Sequence, residues 1–500
     1  MKPSSYQTAI FEADLQGGNL AVRAAAGSGK TTTLTACVKR RDPEDALVLS
    51  FNRSIVSELQ DRLPGYEVRT VNSLGHRTLA AYRRSRVQLD DSKFWNLAEP
   101  LARDITGTIR GAGYSPKDVR EVRRHLTTAA DFCRHSLTDP NDRDALLEMA
   151  RRFDLEDVDE YTVSTYSRAL TRLLEQGRAA FLASGTIDYT DQVFLPMALN
   201  LKPPKAPRAY VDEVQDFSIA KVRLAQLAAE SFCVVGDPRQ SIYAFSGADA
   251  NAWTEMLTAI QAEELPLSIC YRCPPSVIRI AQSMVPEIES WEGHPGGTVD
   301  VIEARELLDT LAFDPMSVLL SRGNTRLFEV ALQLLDIGVR PALRGKDIIP
   351  RIAALIKDAV DDWRFFDDQV REFAEAKAGR LAERRKERAA QTLLDLAKAA
   401  QTLQRRVKAH SLEDWTAKVN GIFTESAPIT LSTIHSFKGA EAARVFLLDF
   451  DRLPLSWRGQ TPEEKEQERN VFYVGLTRAK RQLILVKKPK LPDANPMEEE

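Results

Sequence analysis

Residues 19–51 read NLAVRAAAGSGKTTTLTACVKRRDPEDALVLSF. Their apolar and β-branched residues predict a buried strand over 19–24 and a second strand over 46–51, and the residues between them predict a helix over 31–40. A strand, a helix and a second strand in this order form a unit whose two strands lie parallel in one sheet. The segment therefore predicts an α/β fold built on parallel strands.

The loop between the first strand and the helix carries AAAGSGKT, residues 24–31. Its glycines allow the backbone to wrap around phosphate oxygens, Lys30 provides a cation for the β and γ phosphates of a nucleotide, and Thr31 can bind Mg²⁺. Ala24 stands where the general pattern has glycine, and a small residue can fill that position. The loop predicts a site for ATP with Mg²⁺.

An acidic pair follows a later strand. VDEVQD (211–216) comes at the end of a strand predicted over 208–212, and a further strand is predicted over 232–236. One carboxylate, that of Asp212, can hold Mg²⁺ while its neighbour Glu213 polarises the attacking water. Because the carboxyl ends of parallel strands meet at one edge of a sheet, we expect this pair beside the phosphate-binding loop.

The strand pattern is interrupted twice by helical stretches, so we expect two parallel-sheet domains, each split by a helical insertion. Further strands are predicted over 298–302, 317–321, 444–450 and 482–486. The expected bounds are 1–80 with 186–268 for the first domain, 81–185 for its insertion, 269–345 with 426–500 for the second domain, and 346–425 for its insertion.

The second insertion contains a basic region. Residues 371–410 include eleven Lys or Arg against five Asp or Glu, with leucines at amphipathic helical spacing. Two interpretations stay open: a solvated helix pair with a small core, or a contact with duplex DNA or a partner through neutralisation of phosphates.

The composition is that of a soluble, intracellular protein. The chain is 43% hydrophobic and 28% charged, which is ordinary for folded domains, and no run of eighteen apolar residues or secretion signal is present. We expect a cytoplasmic protein without membrane contact, associated with the nucleoid if it comes from a bacterium or phage. The net charge of -3 means that a nucleic acid must be held by a local basic surface or by stacking.

Five cysteines form an odd set, which favours reduced thiols over a disulfide framework. Cys270 and Cys273 form a CxxC pair, but no second pair stands at zinc spacing. A metal or redox role for this pair is therefore disfavoured.

Five further stretches carry a specific resemblance. They are VDEVQD (211–216), VVGDPRQSIYAFSGAD (234–249), the pair Tyr271-Arg272, STIHSFKGAEAARVFLLDF (432–450) and ERNVFYVGLTRAK (468–480). Together with the phosphate-binding loop, and in this order, they resemble the motifs of superfamily 1A helicases of the UvrD/Rep/PcrA type, and Gln7 resembles their Q motif. The resemblance implies two RecA-like P-loop NTPase domains, 1A and 2A, with helical insertions 1B and 2B and ATP bound between the two domains.

The resemblance also implies roles around the nucleotide. Gln7 would read the adenine edge, Tyr271 would stack on the base and Glu441 would reach the ribose. Arg272 and Arg478 would reach the γ phosphate as arginine fingers, a contribution on the order of 10³ to 10⁵ in rate. The implied cofactor-binding residues are Gln7, Ala26, Gly27, Ser28, Gly29, Lys30, Thr31, Thr32, Tyr271, Gly439 and Glu441. The implied catalytic residues are Glu213, the γ-phosphate sensor Gln240, Arg272 and Arg478, with Mg²⁺ at Thr31 and Asp212.

Aromatic residues suit a single strand because any base can stack on them, for roughly 1–3 kcal/mol, without sequence readout. At the positions where the family contacts DNA, this chain has Phe51, Asn52, Asn72, Tyr243, Phe245, Thr433 and His435. Taken alone, such a Phe is more often core packing and such a His more often a structural hydrogen-bonding residue. Their motif positions imply contact with single-stranded DNA and with junctions to duplex, and 3′ to 5′ movement.

The chain departs from the family at several points. Ser246 stands where these helicases usually have Arg, and Asn72 stands where His is common. Only 22 residues follow Arg478, too few for the hairpin that relatives use to separate strands. With a second insertion that is also short, we expect a compact member whose strand separation is weak.

The function expected from these motifs is an ATP-dependent translocase or helicase on single-stranded DNA. The alternative is a DNA-stimulated ATPase, acting as a switch or as a translocase that displaces bound proteins with weak unwinding, which recruits a nuclease or a repair or replication factor. An inactive scaffold is disfavoured, because the catalytic residues are all present. We expect a monomer or weak oligomer.

Overall fold

The computed structural model describes residues 2–110, 114–153, 155, 158–242, 251–312, 316–345, 348–383, 387–424, 426–457 and 460–489. The chain divides into two compact units, Met1–Ser268 and Ile269–Glu500. Every described helix is too short or too polar to cross a lipid bilayer.

The first unit alternates helices and strands. Its described helices are α1 (Ser5–Gln16), α2 (Lys30–Val38), α3 (Arg53–Arg62), α4 (Val71–Arg83), α5 (Lys93–Arg110), α6 (Pro116–Ser136), α7 (Arg143–Arg152), α8 (Val163–Ser184), α9 (Asp191–Ala198), α10 (Ile219–Gln226) and α11 (Ala252–Ile260). Its described strands are β1 (Leu20–Ala24), β2 (Ala46–Ser50), β3 (Glu67–Thr70), β4 (Gln88–Leu89), β5 (Thr186–Ile187), β6 (Ala206–Val211), β7 (Ala229–Gly236) and β8 (Glu263–Leu267).

The sheet of this unit has the order β3-β2-β6-β7-β1-β8, and its strands pair in parallel. Both faces are covered, which explains why its strands are almost continuously apolar. Leu20 and Val22 pack with α2, whereas Ala21 and Leu49 pack with α10 on the opposite face. The parallel arrangement brings the carboxyl ends of β1, β2, β6 and β7 to one edge.

The helices α5 to α8 form a body with a core of its own. Its buried members include Phe94, Leu126, Tyr166 and Leu170, and they form a cluster separate from those that cover the sheet. A buried ion-pair cluster ties this body to the segment before α9, because Arg134 lies 2.8 Å from Asp188.

The second unit repeats the alternation. Its described strands are β9 (Ile269–Cys270), β10 (Glu289–Ser290), β11 (Thr298–Ile302), β12 (Ser317–Ser321), β13 (Ala342–Arg344), β14 (Ile429–Thr433), β15 (Ala442–Leu448) and β16 (Ala479–Val486). Its described helices are α12 (Pro275–Ala281), α13 (Leu307–Ala312), α14 (Thr325–Asp336), α15 (Ile348–Ala359), α16 (Phe366–Glu383), α17 (Glu387–Val407), α18 (Leu412–Ile422), α19 (Ile434–Phe437) and α20 (Pro462–Leu476).

The main sheet of this unit is also parallel, with the order β11-β16-β15-β12-β14-β13. The helices α15 to α18 do not have a separate main core. Leu403 of α17 and Trp415 of α18 belong to the same buried cluster as Leu319 and Phe446 of the sheet. The basic region therefore lies on two helices, α16 and α17, whose apolar sides pack into the body of the unit.

The predicted fold class is confirmed, since both units contain parallel sheets within an α/β arrangement. The strands predicted from apolar runs are present, with ends that differ by at most three residues. Several others were not predicted, namely β3, β8, β13 and β14. One expectation was wrong in detail, because β4 lies within residues 81–185, where no strand was expected. The strand β4 has two residues and pairs only with β5, so it is too short to give a periodic pattern in the sequence.

Gly75 makes a close contact between α4 and α9. A Cβ atom at this position would lie 1.8 Å from the carbonyl oxygen of Gln192, which belongs to the backbone and cannot rotate away. We expect Gly75→Ala to lower the free energy of unfolding by about 1–3 kcal/mol or more. Chemical denaturation followed by circular dichroism measures the loss.

The matched control is Gly107→Ala in α5, where the added Cβ would make an ordinary 3.6 Å contact with Tyr114. This change should raise the free energy of unfolding by roughly 0.5–1 kcal/mol, because alanine has the higher helix propensity. Equal effects at the two positions would contradict the close approach of α4 and α9.

Candidate functional site

The phosphate-binding loop joins β1 to α2. Gly27 and Gly29 have φ angles of 68° and 82°, in the left-handed region that glycine adopts without a steric penalty. The loop ends at the amino terminus of α2, where Thr31 and Thr32 lie in the first turn. The first amides of a helix lack partners within it and favour an anion. The backbone here therefore suits a phosphate group.

Two buried oxygen atoms at this site have no hydrogen-bond partner in the described part of the chain. They are Oγ of Ser28 in the loop and Oδ2 of Asp212 after β6. An unpaired buried polar group costs about 1–3 kcal/mol, a penalty that a ligand would relieve. A hydroxyl can donate to a phosphate and a carboxylate can bind a hard cation. The residues present therefore fit a nucleotide phosphate accompanied by Mg²⁺.

A series of side-chain contacts runs from the loop to the end of β7. Lys30 Nζ lies 2.9 Å from the carboxylate of Glu213, and the Gln215 amide donates to the same carboxylate. Gln215 Oε1 accepts a hydrogen bond from the backbone amide of Asp237 at 3.0 Å. The side-chain amide of Gln240 donates to the Asp237 carboxylate at 2.5 Å. Predicted residues Lys30, Glu213 and Gln240 are thus connected through Gln215 and Asp237, which lie inside the quoted motifs but were given no role.

The charges of this cluster perturb one another. Burial, reinforced by the neighbouring Glu213 carboxylate, raises the pKa of Asp212 to about 7. Burial also raises the pKa of Asp237, against the effect of the nearby Lys30. Burial acts to lower the pKa of Lys30, but Glu213, Asp237 and Asp212 outweigh it, so that pKa lies above its ordinary value. The site holds more carboxylates than cations, which favours binding of a metal ion.

Gln7 lies against the phosphate-binding helix. Its Nε2 donates to Thr33 Oγ1 at 3.1 Å, while its Oε1 accepts the Ser4 amide at 3.0 Å in a capping box at the start of α1. The side chain that was predicted to read adenine is therefore engaged at both ends. Each end of the amide keeps a second hydrogen-bonding position, which suits it to read a base while these contacts hold it in place.

In the second unit, the structure brings together three residues that were predicted for the nucleotide. Arg272 Nε lies 2.5 Å from the Glu441 carboxylate, and Arg272 Nη1 donates to the Thr477 carbonyl at 3.3 Å. Glu441 also pairs with Lys480. The buried Arg478 guanidinium donates to the Ala440 carbonyl at 3.3 Å and to the Val474 carbonyl at 2.8 Å. Both arginines thus already have partners within the second unit.

Other predicted residues of this unit lie at the ends of β9 and β14 and in the segments that follow these strands. The Tyr271 ring is tilted against Trp291 with centroids 5.6 Å apart, so one part of its surface is already packed. Thr433 caps α19 by accepting the Ser436 amide at 3.2 Å, and His435 lies within that short helix. Gly439, which follows it, has a φ of 83°.

A groove of about 660 Å³ opens at the same edge of the first sheet. It is lined by three residues predicted to contact DNA: Phe51, Asn52 and Asn72. It is also lined by residues to which the sequence gave no role, among them Arg53, Val56, Gln60, Arg69, Ser73, His76, Leu89, Tyr189 and Gln192. Two of the predicted side chains have structural partners, because Asn52 caps α3 and Asn72 donates to the Tyr189 carbonyl at 3.0 Å.

Tyr189 is the clearest residue that sequence reasoning missed. It is 45% exposed and lies in the groove, two residues after β5. The only signal was an aromatic residue in TIDYTD, where the chain returns from the helical body to the sheet. The predicted contacts Tyr243 and Phe245, and also Ser246, lie outside the described residues.

The cysteines are consistent with reduced thiols. All five are free and buried, and Cys273 Sγ lies 3.5 Å from the Thr477 carbonyl oxygen. Within the described ranges, no group of three or more His, Cys, Asp or Glu side chains is arranged to hold a metal ion.

Comparison with known proteins gives matches along most of the chain. A model of the UvrD/REP helicase N-terminal domain matches residues 5–260, and a model of the UvrD-like helicase C-terminal domain matches residues 265–489. ATP-dependent DNA helicase PcrA of Bacillus subtilis (strain 168) is 26% identical over 290 residues, which cover 54% of this chain and 37% of that protein. PcrA of Staphylococcus epidermidis (strain ATCC 12228 / FDA PCI 1200) is 26% identical over 251 residues, 46% of this chain and 33% of that protein. The chain thus matches about a third of the length of these relatives.

The raised pKa of Asp212 predicts a pH-dependent effect of its removal. The folded protein holds this proton more tightly than the unfolded chain, so the free energy of unfolding falls as pH rises from about 4 to about 7. Asp212→Asn removes the ionisable group, and with it this decrease in the free energy of unfolding. In the absence of nucleotide we expect the variant to gain stability over the unmodified protein, with a larger gain at pH 8 than at pH 5.

Chemical denaturation at the two pH values measures this difference. The control is Asp45→Asn, which replaces an exposed carboxylate before β2. A gain at Asp212 that is the same at both pH values would show that its carboxylate is not destabilised by burial.

Proposed function

Because the chain belongs to the UvrD-like helicase family, we propose that it is an ATP-dependent DNA helicase that moves 3′ to 5′ along single-stranded DNA. Its fuel is ATP with Mg²⁺, and its substrates are single strands and junctions between single and double strands. The observation that carries the proposal is the shared edge of the first sheet, where the acidic pair follows β6 and the groove opens at the end of its neighbour β2.

One backbone hydrogen bond supports coupling between these two sites. The Asp212 amide, at the end of β6, donates to the Leu49 carbonyl at 2.9 Å. Leu49 belongs to β2, and Phe51 enters the groove two residues later. A shift of the acidic pair between nucleotide states therefore moves a DNA-contacting segment directly. DNA is gripped by Phe51, Asn52, Asn72, Tyr243, Phe245, Thr433 and His435.

Nucleotide binding exchanges the partners of Lys30. The ammonium leaves Glu213 for the β and γ phosphates, and the Glu213 carboxylate then orients and deprotonates the attacking water. Thr31 and Asp212 would hold Mg²⁺, which neutralises phosphate charge when bound. Gln240 senses the γ phosphate through its contact with Asp237.

The second unit contributes cations to the same reaction. We propose that Arg272 and Arg478 stabilise the charge that develops on the γ phosphate, while Tyr271 and Glu441 bind the base and ribose. Since Glu441 now neutralises Arg272, contact of Glu441 with the ribose releases the arginine. Binding of the nucleotide thereby makes Arg272 available for the γ phosphate.

We propose the following division of the chain. Residues 1–80 and 186–268 form RecA-like domain 1A with the insertion 81–185 as 1B. Residues 269–345 and 426–500 form RecA-like domain 2A with the insertion 346–425 as a reduced 2B. The separate core of α5 to α8 supports the first insertion, whereas the core shared by α15 to α18 supports a second insertion fused to its domain.

ATP hydrolysis tests the chemistry. We expect hydrolysis to rise steeply on addition of single-stranded DNA in a coupled phosphate-release assay. Glu213→Gln should reduce the rate by a factor on the order of 10²–10⁴, because the general base is lost, and Lys30→Ala should abolish it. Lys205→Ala, an exposed lysine at the opposite edge of the sheet, serves as the control. Undiminished hydrolysis in Glu213→Gln would refute the assigned chemistry.

Strand displacement tests movement. A fluorescent duplex with a 3′ tail should be separated, whereas a 5′-tailed or blunt duplex should not. If the protein hydrolyses ATP on single strands yet neither separates the 3′-tailed duplex nor removes streptavidin from a biotinylated strand end, the chain is an ATPase switch rather than a motor.

A further inference from the structure

Lys221 is a cation beside the DNA groove to which the motifs assign no role. It lies in the first turn of α10, which follows the acidic motif at the carboxyl edge of the first sheet. Its Nζ is 4.4 Å from the centroid of the Phe51 ring, and Phe51 lines the groove. The ammonium therefore lies next to the ring on which a base would stack.

The surroundings of this ammonium do not neutralise it. Across the residues that the structure describes, Nζ of Lys221 forms no ion pair and no hydrogen bond. Arg69, which lines the groove, differs because it is paired with Glu67. Asp216 attracts the Lys221 ammonium, and His135 from α6 of the helical body is close enough for the Lys221 charge to affect it.

Fold stability gives little reason for a lysine here. Burial lowers the pKa of Lys221 to about 8, and burial together with the Lys221 charge lowers the pKa of His135 to about 3. The first turn of a helix is also the positive end of its dipole, where a cation is unfavourable. The attractions that the described residues offer this ammonium are the cation–π contact with Phe51 and the more distant charge of Asp216. Such locally unfavourable groups are typical of functional sites.

We propose that Lys221 binds a backbone phosphate of the single strand whose base stacks on Phe51. This inference rests on the proposed function. A phosphate supplies the opposite charge that the ammonium lacks. The contact is independent of sequence, as a translocating protein requires.

Salt dependence provides the first test. Neutralising one phosphate of a single strand changes the slope of log affinity against log salt by about 0.7. Lys221→Met keeps the apolar stem against Phe51 and removes the charge. We expect the slope for a dA oligomer, measured by fluorescence anisotropy, to be smaller by about 0.7 in this variant. Between about 50 and about 200 mM salt, the variant should therefore lose about 2.6-fold less affinity than the unmodified protein. The control Lys205→Met should keep the full slope.

The pH dependence provides a test that a purely structural role would not pass. Phosphate binding requires the charged ammonium, so affinity should be nearly constant below about pH 7 and fall above it, by roughly tenfold between pH 7 and pH 9. Lys221→Arg keeps the charge over this range, so it should keep the salt slope and lose this part of the pH dependence. A dA oligomer is suitable because adenine does not ionise between these pH values.

The outcomes distinguish a failure of the Lys221 proposal from a failure of the proposed function. If the unmodified protein binds DNA and the slope of Lys221→Met equals that of the control, the proposal for Lys221 is wrong and the proposed function stands. If Lys221→Met is unstable, the pH profile of Lys221→Arg decides, and a profile like that of the unmodified protein overturns the proposal. If the unmodified protein does not bind single-stranded DNA, the proposed function fails and this inference fails with it.

Discussion

The functional chemistry of the first unit depends on the parallel pairing of β1, β2, β6 and β7. Parallel pairing directs every carboxyl end to the same edge, and the strands are mostly apolar because both faces are covered. The phosphate-binding loop and the acidic pair lie where strands end. The hydrogen bond between Asp212 and Leu49 joins the acidic pair after β6 to β2, which leads into the groove.

Much of this arrangement could be predicted from the sequence. A glycine-rich loop between an apolar strand and a helix, and an acidic pair after another apolar strand, specify a parallel sheet with a phosphate site at its edge. The predicted strands were short apolar runs, whose signal does not depend on distant residues. Two of the strands that were missed have weak patterns: β8 reads EELPL, and β3 reads EVRT with one buried residue. Their strand character comes from pairing with β1 and β2, which periodicity alone cannot reveal.

The partners of the site residues could not be predicted in the same way. Motif positions suggested roles for Arg272, Glu441 and Gln7, but not that Arg272 and Glu441 neutralise each other or that Gln7 is held in a capping box. The pairing of Arg272 depends on distances between segments far apart in sequence, up to 205 residues in its contact with Thr477. The capping box of Gln7 is local, and Ser4 with Gln7 three residues later is a signature that the sequence analysis did not use. Tyr189 and Lys221 were missed for the same reason as the pairing of Arg272, because each gains its significance from a neighbour that is distant in sequence.

The two sets of helices differ in what their removal would expose. The helices α5 to α8 bury their apolar residues among themselves, and the charged anchor at Arg134 joins them to the segment before α9. The helices α15 to α18 fill the interior beneath β12 and β15, and trimming them would expose that interior to water. Changes within α5 to α8 therefore need to preserve only their own core and its anchor, whereas changes in α15 to α18 have to remain compatible with the sheet that they cover.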